Sequence, residues 1–217
     1  MGTYVKITNI DNKEISDQQL NMLSEYNRHF FDEFTHELLK IEKFSKNFRT
    51  QEIGQIGGEV YVLPTENLNT VINNYINNTS IGTSWVFYHN KQTNNNGDVK
   101  WDYFFYRKGI LNDKGIVVYD DKNREIASCR IDLLTDQKID KCKKFYGDPS
   151  VFDYEFGNEM IPNIKFWYND SDNNIKDITF YENEYLLNDF LADSDIMQKF
   201  PWNQHSYYHL FEPILPS

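Results

Sequence analysis

The period of apolar and polar positions changes several times along this chain, and each change predicts an element. Residues 3–9 alternate, with Val5 and Ile7 on one side and Tyr4 and Lys6 on the other, which predicts a short strand. Asp11-Asn12-Lys13 breaks it. Ser16 and Gln19 have the spacing of a capping box, and Ile15 and Leu20 are placed to form a hydrophobic staple. From Leu20 onward, Leu23, Phe30, Phe31, Phe34, Leu38 and Ile41 recur at helical spacing, with Asn27 the polar exception. At about 100° per residue these positions fall within a stripe of roughly 80°. The expectation is one amphipathic helix over residues 17–46, docked on a sheet.

Gly54, Gly57 and Gly58 then mark a turn, and residues 59–63 read as a strand ended by Pro64. Thr65 can cap a second helix whose buried face is Leu68, Val71, Ile72, Tyr75 and Ile76. Residues 85–89 and 99–107 flank Asn94-Asn95-Asn96-Gly97-Asp98, whose Asn and Gly suit a hairpin turn. A third strand over 115–119 turns through residues 120–123 into a fourth, where Ala127, Cys129, Ile131 and Leu133 share a face. Residues 136–145 suggest a short basic helix carrying Lys138, Lys141, Lys143 and Lys144, closed by Gly147 and Pro149. Residues 151–156 alternate strictly, 164–168 and 175–181 predict another hairpin, and a helix starts near Glu184. No repeat or long linker divides the chain. The pattern therefore predicts a single domain over 1–217 of α+β class: a mostly antiparallel sheet, meander plus C-terminal hairpin, packed by a long N-terminal amphipathic helix and shorter helices.

Composition leaves that picture standing, but charge polarises it. Residues 148–217 carry thirteen carboxylates against Lys165, Lys176 and Lys199, so −10 of the net −11 lies in the last third. Such a balance disfavours a nucleic-acid binder, which needs cations to displace phosphate counterions, and disfavours docking on anionic membranes. The longest apolar runs, such as 85–88 and 116–119, are far short of the ~20 residues of a membrane span. Two cysteines, Cys129 and Cys142, suggest no disulfide framework, and the start shows no basic and then apolar leader. A cytoplasmic protein is the expectation.

Catalytic signatures are absent from the sequence: there is no G-x-S-x-G, no P-loop and no G-x-G-x-x-G. His29, Asp32 and His36 would share one side of the long helix, but a spacing of seven holds the imidazoles about 10 Å apart. His205 and His209 are an i,i+4 pair if helical, but packing or capping among Trp202, Tyr207 and Tyr208 is the better explanation of them. Asp153 and Glu155 share a strand face about 7 Å apart, compatible with paired acid/base carboxylates, although an exposed strand edge with solvated acids gives the same pattern and is far commoner. No catalytic residue, metal site or cofactor follows from these patterns. What remains is an acidic, aromatic surface, which would raise the association rate with a cationic partner.

The acidic hairpin region of residues 170–184 and the aromatic close Pro201-Trp202-Asn203-Gln204-His205-Ser206-Tyr207-Tyr208-His209 resemble, in overall character, the immunity proteins that bacteria pair with polymorphic or contact-dependent toxins. The resemblance implies a stoichiometric inhibitor of a cognate basic toxin, commonly a nuclease, with no turnover. Its contact face would draw on Asp153, Glu155, Asp170, Asp172, Asp177, Glu182 and Glu184, with Trp202 as an aromatic anchor. Two alternatives compete with it. One is a phage or mobile-element DNA mimic that blocks a host DNA-binding protein. The other is an enzyme whose site assembles from Asp153, Glu155, His205 and His209.

Overall fold

The computed structural model describes residues 2–47, 49–77, 83–148, 150–152 and 160–217. Among them, twelve strands form a sheet whose spatial order is the order of the chain. They are β1 (Thr3–Thr8), β2 (Glu25–Asp32), β3 (Leu38–Lys46), β4 (Ile53–Tyr61), β5 (Ser84–Thr93), β6 (Val99–Arg107), β7 (Ile110–Tyr119), β8 (Glu125–Ile131), β9 (Lys138–Phe145), β10 (Ile164–Tyr168), β11 (Ile175–Phe180) and β12 (Asn183–Tyr185). The helices are short: α1 (Asp17–Leu20), α2 (Leu68–Ile76), α3 (Leu187–Ala192) and α4 (Ser194–Lys199). The chain is mostly sheet, so the expected helix-packed α+β fold is overturned.

The long N-terminal helix does not form. Its capping box does, with Ser16 and Gln19 bonding reciprocally, but the helix it starts is the single turn α1. Residues 25–46 instead fold back as the β2–β3 hairpin, which pairs outward with β1 and β4. The cause lies at its tip. Asp32 Oδ1 accepts from the backbone N–H of Phe34 and Thr35, both at 2.8 Å, and His36 takes a left-handed φ of 58°. A right-handed helix cannot run through that conformation. The basic helix expected over 136–145 is likewise a strand, β9, and the 151–156 strand falls mostly on residues 153–159, outside the described residues.

Two turn designs recur. Asp32, Asn47 and Asp132 each accept from the N–H groups two and three positions on. The fourth residue on, His36, Gln51 or Asp136, has φ between 57° and 60°. In each, the next N–H donates to the Thr hydroxyl at 3.3–3.4 Å. Asn9, Asn94 and Asp120 build a tighter version, accepting from the second and fourth N–H groups on, around Asn12, Gly97 and Asn123 at positive φ. Asn and Asp suit these places because a short side-chain oxygen replaces a backbone acceptor.

The chain comprises two compact units, residues 1–90 with 103–113, and residues 91–102 with 114–217. In the first, the crossover from β4 to the parallel β5 runs through α2, capped by Asn67 rather than the expected Thr65. Ile72 of α2 packs with Val60, Val62, Trp85 and Phe87. Gly58 on β4 is where backbone and ring crowd together: a Cβ there would lie 2.2 Å from the Ile41 carbonyl oxygen and 2.7 Å from the Trp85 ring. Gly58→Ala is therefore expected to lower this unit's stability by about 1–3 kcal/mol, read as an earlier urea midpoint by the Trp85 signal. An unmoved midpoint would mean that the β3–β4 approach opens freely.

In the second unit, α3, α4 and two 3-10 turns (Trp202–Gln204 and Ser206–Tyr208) cover the inward face of the sheet. Phe166, Phe190, Phe200 and Phe211 are fully buried there, with Ile164, Ile178 and Val118 beside them. Period two sends Phe166 and Tyr168 inward on β10 and leaves Lys165 and Trp167 on the other face. Lys143, paired across from Phe166, also points inward and is fully buried.

Candidate functional site

A hollow of about 500 Å3 at β9–β12 is lined by Asp140, Lys141, Trp167, Tyr168, Asn169, Asp170, Lys176, Asp177, Thr179 and Glu184. Trp167 is its aromatic wall, 37% exposed, directly across from Asp177 in the β10–β11 register. Its indole Nε1–H donates to Thr179 Oγ1 at 3.2 Å, and Thr179 pairs in turn with Glu184 on β12. The register slips after Trp167, since Tyr168 pairs with Ile175. The extra residue on β11 is Lys176, and both Lys176 and Asp177 line the hollow.

The charges in this hollow are not equivalent. Lys141 is buried, and its ammonium donates to the carbonyls of Asn169, Asp170 and Asp172 at 2.9–3.1 Å and to Asn173 Oδ1 at 3.4 Å. It holds the 169–174 turn from within. Asp170 Oδ1 accepts from the Asp140 N–H at 2.9 Å, and the Asp140 carboxylate pairs with Arg130 Nε at 2.9 Å. Asp177 has only the loose, exposed contact with Lys176 at 3.6 Å, and Glu184 has no ion pair among the described residues. The acidic rim is thus Asp170, Asp177 and Glu184, and the exposed Asp177–Lys176 contact is its one ion pair among the described residues.

Of the residues expected at the partner face, Asp170, Asp177 and Glu184 come together here. Asp153 and Glu155 lie outside the described residues. Asp172 closes its own turn, accepting from the Asn174 N–H at 2.8 Å, a bond that holds its carboxyl below the usual carboxylate range. Glu182 is exposed beyond the lining residues. Trp202 packs against the Phe166 and Phe200 core and stacks on His209 with centroids 4.2 Å apart. Trp167 is the aromatic residue the sequence reading missed at this site, although the alternation of residues 164–168 places it outward.

The other constellations do not converge. His205 stacks on Phe200 at 4.0 Å while His209 Nε2 lies 3.0 Å from the Trp202 carbonyl, so the two imidazoles serve different rings. Burial lowers the His205 pKa. His29 lies 3.0 Å from Thr8 Oγ1, His36 stands edge-on to Tyr4, and Asp32 Oδ1 is taken by its turn while Oδ2 is buried without a hydrogen-bond partner. Among the described residues no three His, Cys, Asp or Glu side chains group as metal ligands. Cys129 and Cys142 are buried, which pushes their thiols up to about 11 and about 12, so neither is a thiolate near neutral pH. No helix among the described residues is long and apolar enough to cross a membrane. Comparison with protein-family models, with curated proteins and with solved structures gives no match.

Proposed function

We propose that this chain is a stoichiometric binding inhibitor of a basic protein, in the manner of an immunity protein facing its toxin, and that the β9–β12 hollow is its contact face. The observation that carries this is the rim of Asp170, Asp177 and Glu184, whose one ion pair among the described residues is the exposed Asp177–Lys176 contact, around the partly exposed ring of Trp167. Exposed carboxylates on paired strands and on a turn braced by Lys141 present a fixed negative field, which speeds encounter with a cationic partner. A partly desolvated indole beside them gives the slow dissociation that tight inhibition needs. A basic nuclease is the toxin class that best complements such a surface.

The test is to mix the purified chain with the products of the genes that flank its own, choosing any that is basic and toxic. The expected result is a one-to-one complex that abolishes that protein's toxicity. Its association rate should drop at least about tenfold as salt rises from about 0.01 M to about 1 M, where the Debye length shrinks from ~30 Å to ~3 Å. Asp170→Asn, Asp177→Asn, Glu182→Gln and Glu184→Gln together should lower the low-salt rate and leave the high-salt rate unchanged. A rate indifferent to both salt and these four changes would sink the proposal.

A further inference from the structure

The aromatic rings of this unit that meet a cation are served by the chain's own side chains. Lys143 Nζ lies 3.6 Å from the Tyr207 centroid, Arg124 Cζ lies 4.5 Å from that of Tyr146, and Lys91 and Lys141 stand over Trp101 and Phe211 at 5.7 and 5.8 Å. Among the described residues no cation stands over Trp167, although this ring forms one wall of the hollow. Its Nε1–H is held by Thr179, which fixes the indole plane, and the strand register sets Asp177 directly beside it. Residues paired across antiparallel strands stand roughly 5 Å apart at Cβ, so a group lying on the indole is within reach of the Asp177 carboxylate. Glu184, next to Thr179 in the register, flanks the same space from β12.

We infer that the hollow is a clamp for a single arginine side chain of the partner, its guanidinium lying on Trp167 with its N–H edge turned to Asp177 and Glu184. Arginine fits better than lysine for two reasons. Its planar cation stacks on an indole, and its forked donors can engage one carboxylate with two bonds while a second carboxylate takes the remaining edge. The hollow, at about 500 Å3, has ample room for one such side chain and the backbone that carries it. This assignment rests on the binding-inhibitor reading of the same face and names the anchor within it.

The experiment uses the full chain and peptide probes: oligoarginine, oligolysine and oligoglutamate of one length. NMR follows the Trp167 indole N–H, assigned by its loss in Trp167→Phe, and calorimetry gives the affinities. Oligoarginine is expected to shift that resonance and to bind about fivefold more weakly to Trp167→Leu and to Asp177→Asn/Glu184→Gln, with Trp167→Phe recovering much of the loss. Oligolysine should bind more weakly than oligoarginine, and oligoglutamate not at all. An unmoved indole resonance, or equal affinity of oligoarginine for the wild type and the double carboxylate variant, overturns the clamp even if Trp167→Leu fails to fold. Equal binding of the arginine and lysine peptides overturns the arginine assignment. The two proposals fail separately. A basic partner bound equally well by Trp167→Phe, Trp167→Leu and the double variant would defeat the clamp and leave the inhibitor standing. Specific oligoarginine binding without any protein complex would do the reverse.

Discussion

Lys143→Met is expected to remove a pH dependence of stability that the wild-type chain shows between about pH 7 and pH 9. The Lys143 ammonium is fully buried and donates to the carbonyls of Tyr207, Leu210 and Pro213 at 2.6–2.9 Å. Burial pulls its pKa down to about 7, with Glu212 pulling the other way. The folded chain therefore sheds this proton near pH 7 while the unfolded chain keeps it to about 10.5, so over that range the unfolded state binds more protons. Stability then rises with pH, by at most about 1.4 kcal/mol per unit. Above about pH 9 the buried thiols oppose the rise, and above about pH 10 so do Tyr168, Tyr207 and Tyr208, whose burial raises their pKa values. Subtracting the variant's curve from that of the wild type cancels those groups.

Methionine has no donors, so the variant leaves three carbonyls unpaired at any pH, a loss of about 1–3 kcal/mol for each that water cannot reach. The deficit of Lys143→Met should therefore be largest near pH 9 and shrink toward pH 6, where the wild type carries a buried charge. Urea midpoints of both proteins across that range are the measurement. Parallel curves would mean that Lys143 titrates no differently in the folded and unfolded chains.

Phe200→Ala should lower stability by about 3–5 kcal/mol at any pH, a fall in Tm on the order of 10 °C for a chain of this size. Phe200 is fully buried at the end of α4, with ring centroids 4.0 Å from His205, 4.8 Å from Phe145 and 5.7 Å from Phe166. It joins the C-terminal turns to the sheet, so truncation opens a cavity bordered by both. Leu134→Ala is the contrast. Leu134 is 95% exposed at a hairpin tip, and its loss should change the melting temperature little. If Phe200→Ala melts like the wild type, the C-terminal segment does not cover the sheet as described.

Much of the local structure was legible. The capping box at Ser16 and Gln19, the turn at Asn94–Asp98 and the strands near 99–107, 115–119 and 164–168 follow from short-range chemistry. The β2–β3 hairpin was not, because Leu23, Phe30, Phe34, Leu38 and Ile41 fit a 3.6-residue period by coincidence. The competing signal was the Asp32-to-Glu37 turn, a D-x-x-T-x-E pattern that returns as D-x-x-T-x-Q at Asp132 and whose meaning emerges only when the copies are compared. β9 misled for another reason. A lysine-rich run looks solvated, and nothing near residues 141 and 143 in sequence announces the carbonyls, 28 to 70 positions away, that receive their ammonium groups.

The candidate site divides in the same way. That Asp170, Asp177 and Glu184 are acidic, that Trp167 alternates away from the core, and that the last third is negative are properties of the sequence alone, since charge and side-chain period are local. Which carboxylates remain free was decided by the tertiary structure. Asp172 and Asp193 are used locally, by a turn and by the cap of α4, but only the fold ties Glu212 to Lys138 and Asp140 to Arg130. The fates of Trp202 and Trp167 were settled there too, because burial depends on what the chain folds against. Trp202 meets the Phe166 and Phe200 core, while Trp167 faces a hollow that no segment among the described residues fills.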